Sequence, residues 1–195
     1  MPKIYSKEEK ENIKDILIKE AESRLFHGGV ESVTVDELVK SAAIPKGTFY
    51  LFFSSKEELF LTLLSSFHKE MEAVMLSRLQ ELDENHIVTS LTEVFYLLMD
   101  NIYKRGIYRL YDKREVNIIS RKVGLDAFEK EKKGLFAFFK EIFSYFAIDD
   151  EKELETFFNS FMLLQYSLFY VEEIKDPMKA IRTLLRGLML QLVGE

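Results

Sequence analysis

Residues 34–59, TVDELVKSAAIPKGTFYLFFSSKEEL, decide the fold. Val35, Leu38, Val39 and Ala42 recur at i, i+3, i+4 and i+7, so a helix here has one buried face. Thr34 stands just ahead of that run, and Glu37 follows it at the spacing of a capping box. There a hydroxyl and a carboxylate satisfy the free amides of a helix start. Ala42-Ala43 leaves little bulk where the chain must turn sharply. Pro45 suits the first turn of the next helix, where a missing N–H costs nothing. In that second, shorter helix Phe49 and Phe53, with Ile44 before them, face a core. Lys46, Gly47, Thr48 and Tyr50 are left outside. Ser55 and Glu58 repeat the capping spacing and open a long helix, as Ser6 and Glu9 open the first. The order is helix, tight turn, short helix, long helix.

The outer residues of the second helix suit a DNA groove and its phosphates. A helix N-terminus carries free amides and partial positive charge, and both favour a phosphate. Lys46, Thr48 and Tyr50 lie there. Gly47 costs helix stability but allows close approach of the backbone. Lys56, at the start of the long helix, is placed to hold a second phosphate. Spacing alone leaves a plainer reading open, since short helix–turn–helix pairs are common in all-α proteins.

KGTFYLFFSSKEEL (46–59) resembles the signature of TetR-type (tetracycline-repressor-like) bacterial transcriptional regulators: Lys-Gly-Thr, an apolar residue, Tyr, then Phe and Ser-Lys-Glu-x-Leu. Ile16, Leu17, Ala21, Leu25, Phe26 and Gly29 upstream are similar too, as is 34–42. The resemblance runs over residues 10–62, and beyond it only length and helical character agree. Ala43 stands where the family often has Gly, and Pro45 where it often has Ser. The resemblance implies an N-terminal helix-turn-helix DNA-binding head over 1–54 and an effector-binding and dimerisation body over 55–195. It implies a repressor that binds a pseudo-palindromic, double-stranded operator as a homodimer and is released by a small effector. On it Thr34, Lys46, Gly47, Thr48, Tyr50 and Lys56 are the DNA-binding residues.

Composition bounds the alternatives. Of 195 residues, 27 are Lys or Arg and 33 Asp or Glu, a formal charge of −6. Residues 1–56 hold nine of each sign, so the acidity lies in the body and away from the reader. Affinity for DNA then rests on a few placed cations and helix ends, not on a broad positive field. Cys is absent, which removes disulfides and thiolate metal sites. The N-terminus is charged without an apolar run, so no secretory leader is expected. The longest uncharged run, 156–171, is short of the ~20 residues that span a bilayer. A cytoplasmic protein without membrane partner is expected. His27, His68 and His86 are dispersed, and none of the P-loop, HExxH, GxSxG or GxGxxG motifs occurs. No enzyme, cofactor or metal is expected.

The body reads as all-α, with helices over 55–82, 87–104, 107–120, 122–147, 150–174 and 176–193. Leu154, Phe157, Phe161, Leu164, Leu168 and Val171 follow a 3,4,3,4,3 spacing like a coiled-coil seam. Phe158, Met162 and Phe169 form a second stripe. A helix apolar on two sides needs cover on two sides. Ile181, Leu184, Leu185, Leu188 and Leu192 share a face of the last helix, and two such helices from each of two copies would build a four-helix interface. Seventeen Phe and nine Tyr are many for this length. An aromatic-rich cavity with a few polar groups is how small-molecule pockets are built. Its candidate lining is Phe67, His68, Met71, Phe95, Met99, Tyr103, Tyr108, Tyr111, Asn117, Phe136, Phe139, Met162, Gln165 and Tyr166. No carboxylate sits clearly inside an aromatic stripe, so a hydrophobic effector is favoured. A carrier or sensor of apolar ligands, with the head as a structural cap, stays open beside the regulator.

Overall fold

The computed structural model describes residues 5–81 and 84–194, and among them every regular element is helical. In chain order the α-helices are α1 (Lys7–His27), α2 (Val35–Ser41), α3 (Lys46–Phe49), α4 (Lys56–Leu79), α5 (Ile87–Lys104), α6 (Lys113–Val123), α7 (Leu125–Ser144), α8 (Glu151–Ser167) and α9 (Pro177–Val193). Short 3-10 segments lie at Val30–Ser32, Glu84–His86, Ile107–Tyr111 and Leu168–Glu173. No helix among the described residues is long and apolar enough to cross a membrane.

The helix starts form as the local sequence requires. The Ser6 hydroxyl accepts the Glu9 amide at 3.1 Å, and the Glu9 carboxylate accepts the Ser6 amide at 2.8 Å. Thr34 and Glu37 make the same reciprocal pair at 3.3 and 2.9 Å. At α4 the roles are split. Ser55 accepts the Glu58 amide at 3.2 Å, while the Glu58 carboxylate takes the amide and hydroxyl of Ser54, each at 2.6 Å. Asp112 and Asp150 cap α6 and α8.

Four expected helices differ in extent, among them 122–147, observed as Leu125–Ser144 after a break at Gly124 (φ +88°). The span 107–120 opens as a 3-10 segment after left-handed Gly106 (φ +69°), and Asp112 restarts it as α6. The span 150–174 leaves α-geometry after Ser167 and continues as a 3-10 segment. The span 55–82 is helical from Lys56 to Leu79, and position 82 lies outside the described residues.

The chain forms two compact units, one of residues 1–66 and 105–128, the other of 67–104 and 129–195. The helices α4 and α7 contribute to both. In the first unit Leu17, Ala21, Leu25, Val30, Leu38, Phe49 and Leu59 are wholly buried. Two tethers join the 105–128 segment to α1 and the turn after it. The Arg105 guanidinium forks onto Glu22 at 2.6 and 2.9 Å, and the Glu115 carboxylate accepts the Val30 amide at 2.9 Å. Burial pushes the Glu115 carboxyl above the usual carboxylate range. Gly106 meets the α1 end so closely that a Cβ there would lie 2.9 Å from the Phe26 Cα. Glycine is required at this point by both the positive φ and the contact.

The second unit is built on phenylalanine. Phe95 of α5 is wholly buried, with the rings of Phe139, Phe143, Phe157 and Phe161 around it at 4.9, 5.4, 5.2 and 5.9 Å. Most of these pairs meet edge to face, the arrangement favoured by ring quadrupoles. The helix α9 packs along α5, and Arg182 of α9 is paired with Glu93 of α5.

The seam expected to meet a second chain is largely filled from within. Leu154, Phe157, Phe161, Leu168, Ile181 and Leu185 are each no more than 4 % exposed. Leu164, Leu188 and Leu192 are half-buried, and only Leu184 is open. The spacing identified side chains that share a face, and that face is covered by this chain's own helices. The exposed apolar residues of α8 lie on another side: Leu163, Tyr166 and, beyond the helix end, Tyr170.

Candidate nucleic-acid interface

The short helix α3 is rooted from below. Phe49 is fully buried and Phe53 nearly so, with rings 5.8 Å apart, and Ile44 lies under the turn. Ala43 adopts φ +50°, which explains why this position favours glycine: a Cβ is strained in the left-handed region. Pro45 precedes α3 without any side-chain cap, so the first amides of the helix carry no hydroxyl lid.

Above these roots the outer surface is open. Lys46, Gly47 and Tyr50 are exposed and Thr48 half-buried. A Cβ on Gly47 would meet nothing within 4 Å, so this glycine leaves space on the outside and relieves no internal crowding. Tyr50 is 53 % exposed, its ring set edge-on to Phe49 at 5.4 Å. The Lys46 ammonium lies 2.7 Å from the Asp36 carboxylate of α2. That hydrogen bond holds the Lys46 ammonium above its ordinary pKa, so it is charged throughout the physiological range. Both partners are solvent-exposed, so the pair is weak enough to exchange for a phosphate. Thr34 is engaged in capping α2, and its hydroxyl and amide hold the Glu37 carboxyl below the usual range.

Lys56 points inward. Its ammonium donates to the carbonyls of Val30, Glu31 and Val33 at 2.8, 3.3 and 2.7 Å. These belong to the 3-10 turn that leads into α2 and to the residue after it. The Val30 carbonyl also accepts the Val33 amide at 3.3 Å, and a cation beside the carbonyl end of such a turn is favoured. The same turn is held from its amide side by Glu115, so two charged side chains fix the approach to α2. Sequence reasoning missed two exposed members of this region, Asp36 and Leu51. Leu51 follows Tyr50 and is 71 % exposed.

The aromatic residues proposed to line a pocket divide between the units. Tyr108, Tyr111 and Asn117 belong to the first and the remainder to the second. Asn117 and Tyr166 are surface residues, while Phe95 and Phe139 sit inside the packed phenylalanine cluster. Phe67, Met71, Met99 and Met162 are buried, and Tyr103 and Phe136 half-buried. His68 is buried with Nδ1 2.9 Å from the Glu131 carboxylate. Gln165 is 1 % exposed, and neither its amide oxygen nor its nitrogen has a hydrogen-bond partner among the described residues. No group of His, Asp or Glu among the described residues is arranged to hold a metal ion.

Comparison with known proteins agrees with this geometry. Residues 17–63 match the family model of bacterial regulatory proteins of the tetR family. The HTH-type transcriptional regulator YhgD of Bacillus subtilis is 42 % identical over 57 residues, which are 29 % of this chain and 30 % of that protein. YdgC of the same organism is 35 % identical over 65 residues, 33 % of each. The chain thus matches about a third of the length of these relatives. Likeness of fold extends further. The fatty acid degradation regulator FadR of Bacillus halodurans superposes with a TM-score of 0.70 at 15 % identity, covering 96 % of this chain and 97 % of that one. A TetR-family structure from Mesorhizobium loti gives 0.71 at 14 %, covering 97 % and 98 %. At such identities the likeness speaks for the fold alone. Residues 17–63 thus match the tetR family of bacterial regulatory proteins, and the chain as a whole shares the fold of TetR-family structures.

Proposed function

We propose that this protein is a dimeric, effector-released repressor that reads a pseudo-palindromic operator through α3. The carrying observation is the surface of α3: buried Phe49 and Phe53 hold a helix whose outward residues are Lys46, Gly47 and Tyr50, none of them needed for the core. In this reading α3 enters the major groove. Lys46 gives up Asp36 for a phosphate, Thr48 and Tyr50 contact the groove wall, and Gly47 lets the backbone come close. Thr34 acts by fixing α2, and Lys56 by fixing the turn before it.

The dimer face we propose lies one side round from the heptad-like seam. Leu163 and Tyr166 form one exposed stripe on α8, with Tyr170 exposed beyond the helix end, and Ala180, Leu184 and Gly187 form another at helical spacing on α9. Half-buried Leu164, Leu188 and Leu192 border them. Exposed apolar stripes of this kind mark association surfaces. An effector in the second unit is supported by the unmet amide of Gln165, since an unpaired buried polar group costs about 1–3 kcal/mol and is relieved by a bound partner. RolR, whose structure with resorcinol shares this fold at a TM-score of 0.59 and 17 % identity over 97 % of this chain and 91 % of that one, binds a small aromatic ligand. A small hydrophobic molecule with one polar end fits the same chemistry here. Such an effector favours a head arrangement unsuited to DNA, and DNA weakens it by the same factor.

The test is fluorescence anisotropy of duplexes from the region upstream of the protein's own gene, at two salt concentrations, with wild type and Tyr50→Ala. Sequence-dependent binding lost in Tyr50→Ala supports the reader. Equal binding to unrelated duplexes, or none beside saturable binding of an apolar ligand, favours the carrier.

A further inference from the structure

We infer that Leu51 is a specificity-determining residue that reads the C5 methyl group of a thymine in the major groove. The inference rests on the DNA-binding reading above and names what one side chain of that site recognises. No other large apolar side chain among the described residues is as exposed as Leu51, at 71 %. An exposed leucine alone needs no explanation. This one is distinguished by where and how firmly it is held.

Leu51 sits on the turn that directly extends α3. Its amide donates to the Thr48 carbonyl at 3.1 Å, and the next two amides, of Phe52 and Phe53, donate to the Phe49 carbonyl at 2.9 and 3.1 Å. Phe49 and Phe53 on either side are buried. The backbone that carries Leu51 is therefore anchored, and its side chain projects from a fixed base. Gly47 stands four residues earlier, within α3, with open space where its side chain would be. Gly47 and Leu51 are both exposed, the one leaving open space and the other filling it.

The chemistry selects the target. Leucine has no donor or acceptor, so it cannot read the hydrogen-bond pattern of base edges. The apolar group that the major groove offers is the thymine C5 methyl. Lys46 and Thr48 on α3 and Tyr50 at its C-cap supply charge and hydroxyls, so Leu51 adds a discrimination they lack: thymine over cytosine at one position of each half-site.

The experiment uses the full chain and a duplex selected by it from a random pool. Each thymidine is replaced in turn by deoxyuridine, which removes only the methyl and keeps base pairing. Wild type is expected to lose about fourfold in affinity at one symmetry-related thymine, the worth of one buried methyl-sized group. Leu51→Ala, a change at an exposed site, is expected to bind with no further loss at that thymine on the same replacement. Insensitivity of wild type to every replacement overturns the assignment. So does sensitivity that persists unchanged in Leu51→Ala. A uniform loss in Leu51→Ala without methyl dependence would put Leu51 on the sugar–phosphate backbone instead, and also overturns it. Failure of the pool to yield any preferred duplex removes the DNA-binding reading as well, which separates the two failures.

Discussion

Replacing Lys56 with methionine separates two roles that the same residue type could fill. Methionine keeps most of the apolar stem and removes the ammonium. That ammonium serves the carbonyls of Val30, Glu31 and Val33. The Val30 carbonyl retains a partner in the Val33 amide at 3.3 Å, so two carbonyls depend mainly on Lys56. A hydrogen bond to a charged group is worth about 1.5–3 kcal/mol net, and the site is half-open, so water recovers part of the loss. We expect destabilisation of about 2 kcal/mol. For a chain of this length that lowers the melting temperature by about 4–8 °C. Thermal unfolding followed by circular dichroism measures it. The dependence of DNA affinity on salt is read on the same variant. Since Lys56 is spent internally, the slope of log affinity against log salt should match wild type. A variant of unchanged stability whose slope falls by about one unit would refute this reasoning and make Lys56 a phosphate ligand.

Four further outcomes follow from particular contacts. Ala43→Gly relieves the φ +50° strain at some entropic cost, so a net gain of up to about 1 kcal/mol is expected in urea unfolding; a loss would contradict the left-handed geometry. Gly29→Ala would put a Cβ 1.8 Å from the Glu115 Oε1 and drive that carboxylate off the Val30 amide, costing about 1–3 kcal/mol. In a Glu115→Ala background the same change should cost little, and an equal cost in both backgrounds would dissociate the two residues. Burial raises the Glu72 carboxyl, so the folded state holds its proton more tightly than the unfolded one. That penalty is absent below the ordinary carboxylate range and grows as pH rises above it, so Glu72→Gln should raise the melting temperature at pH 7.5 and by progressively less as the pH falls toward 4. Leu163→Glu with Leu184→Glu should give monomers in sedimentation equilibrium with native helicity, and a persistent dimer would move the interface elsewhere.

Local signals in the sequence were legible because their physics is local. The capping boxes at Ser6 and Thr34, the roots Phe49 and Phe53, and the all-α body all follow from patterns within a few residues. The tethers were not legible: Glu115 reaches Val30 across 85 positions and Lys56 reaches back 23 to 26, and no periodicity encodes such pairs. What covers the α8 seam was not legible for another reason. Heptad spacing reports which side chains share a face, while the identity of the cover is tertiary information. Phe95 and Phe139 illustrate the same limit, since aromatic richness suits a cavity and a filled core equally, and here they lie within a packed cluster. Leu51 was passed over because a leucine inside FYLFF reads as core, and only its exposure sets it apart.

The central claim is that α3 reads duplex DNA by sequence. Iterative selection of random duplexes by the full-length protein, followed by sequencing, tests it most directly. The account predicts enrichment of a two-fold pseudo-palindrome with half-site centres about 34–36 Å apart or somewhat more, lost with Tyr50→Ala. A pool that stays random through selection, with wild type and Tyr50→Ala alike, would contradict it.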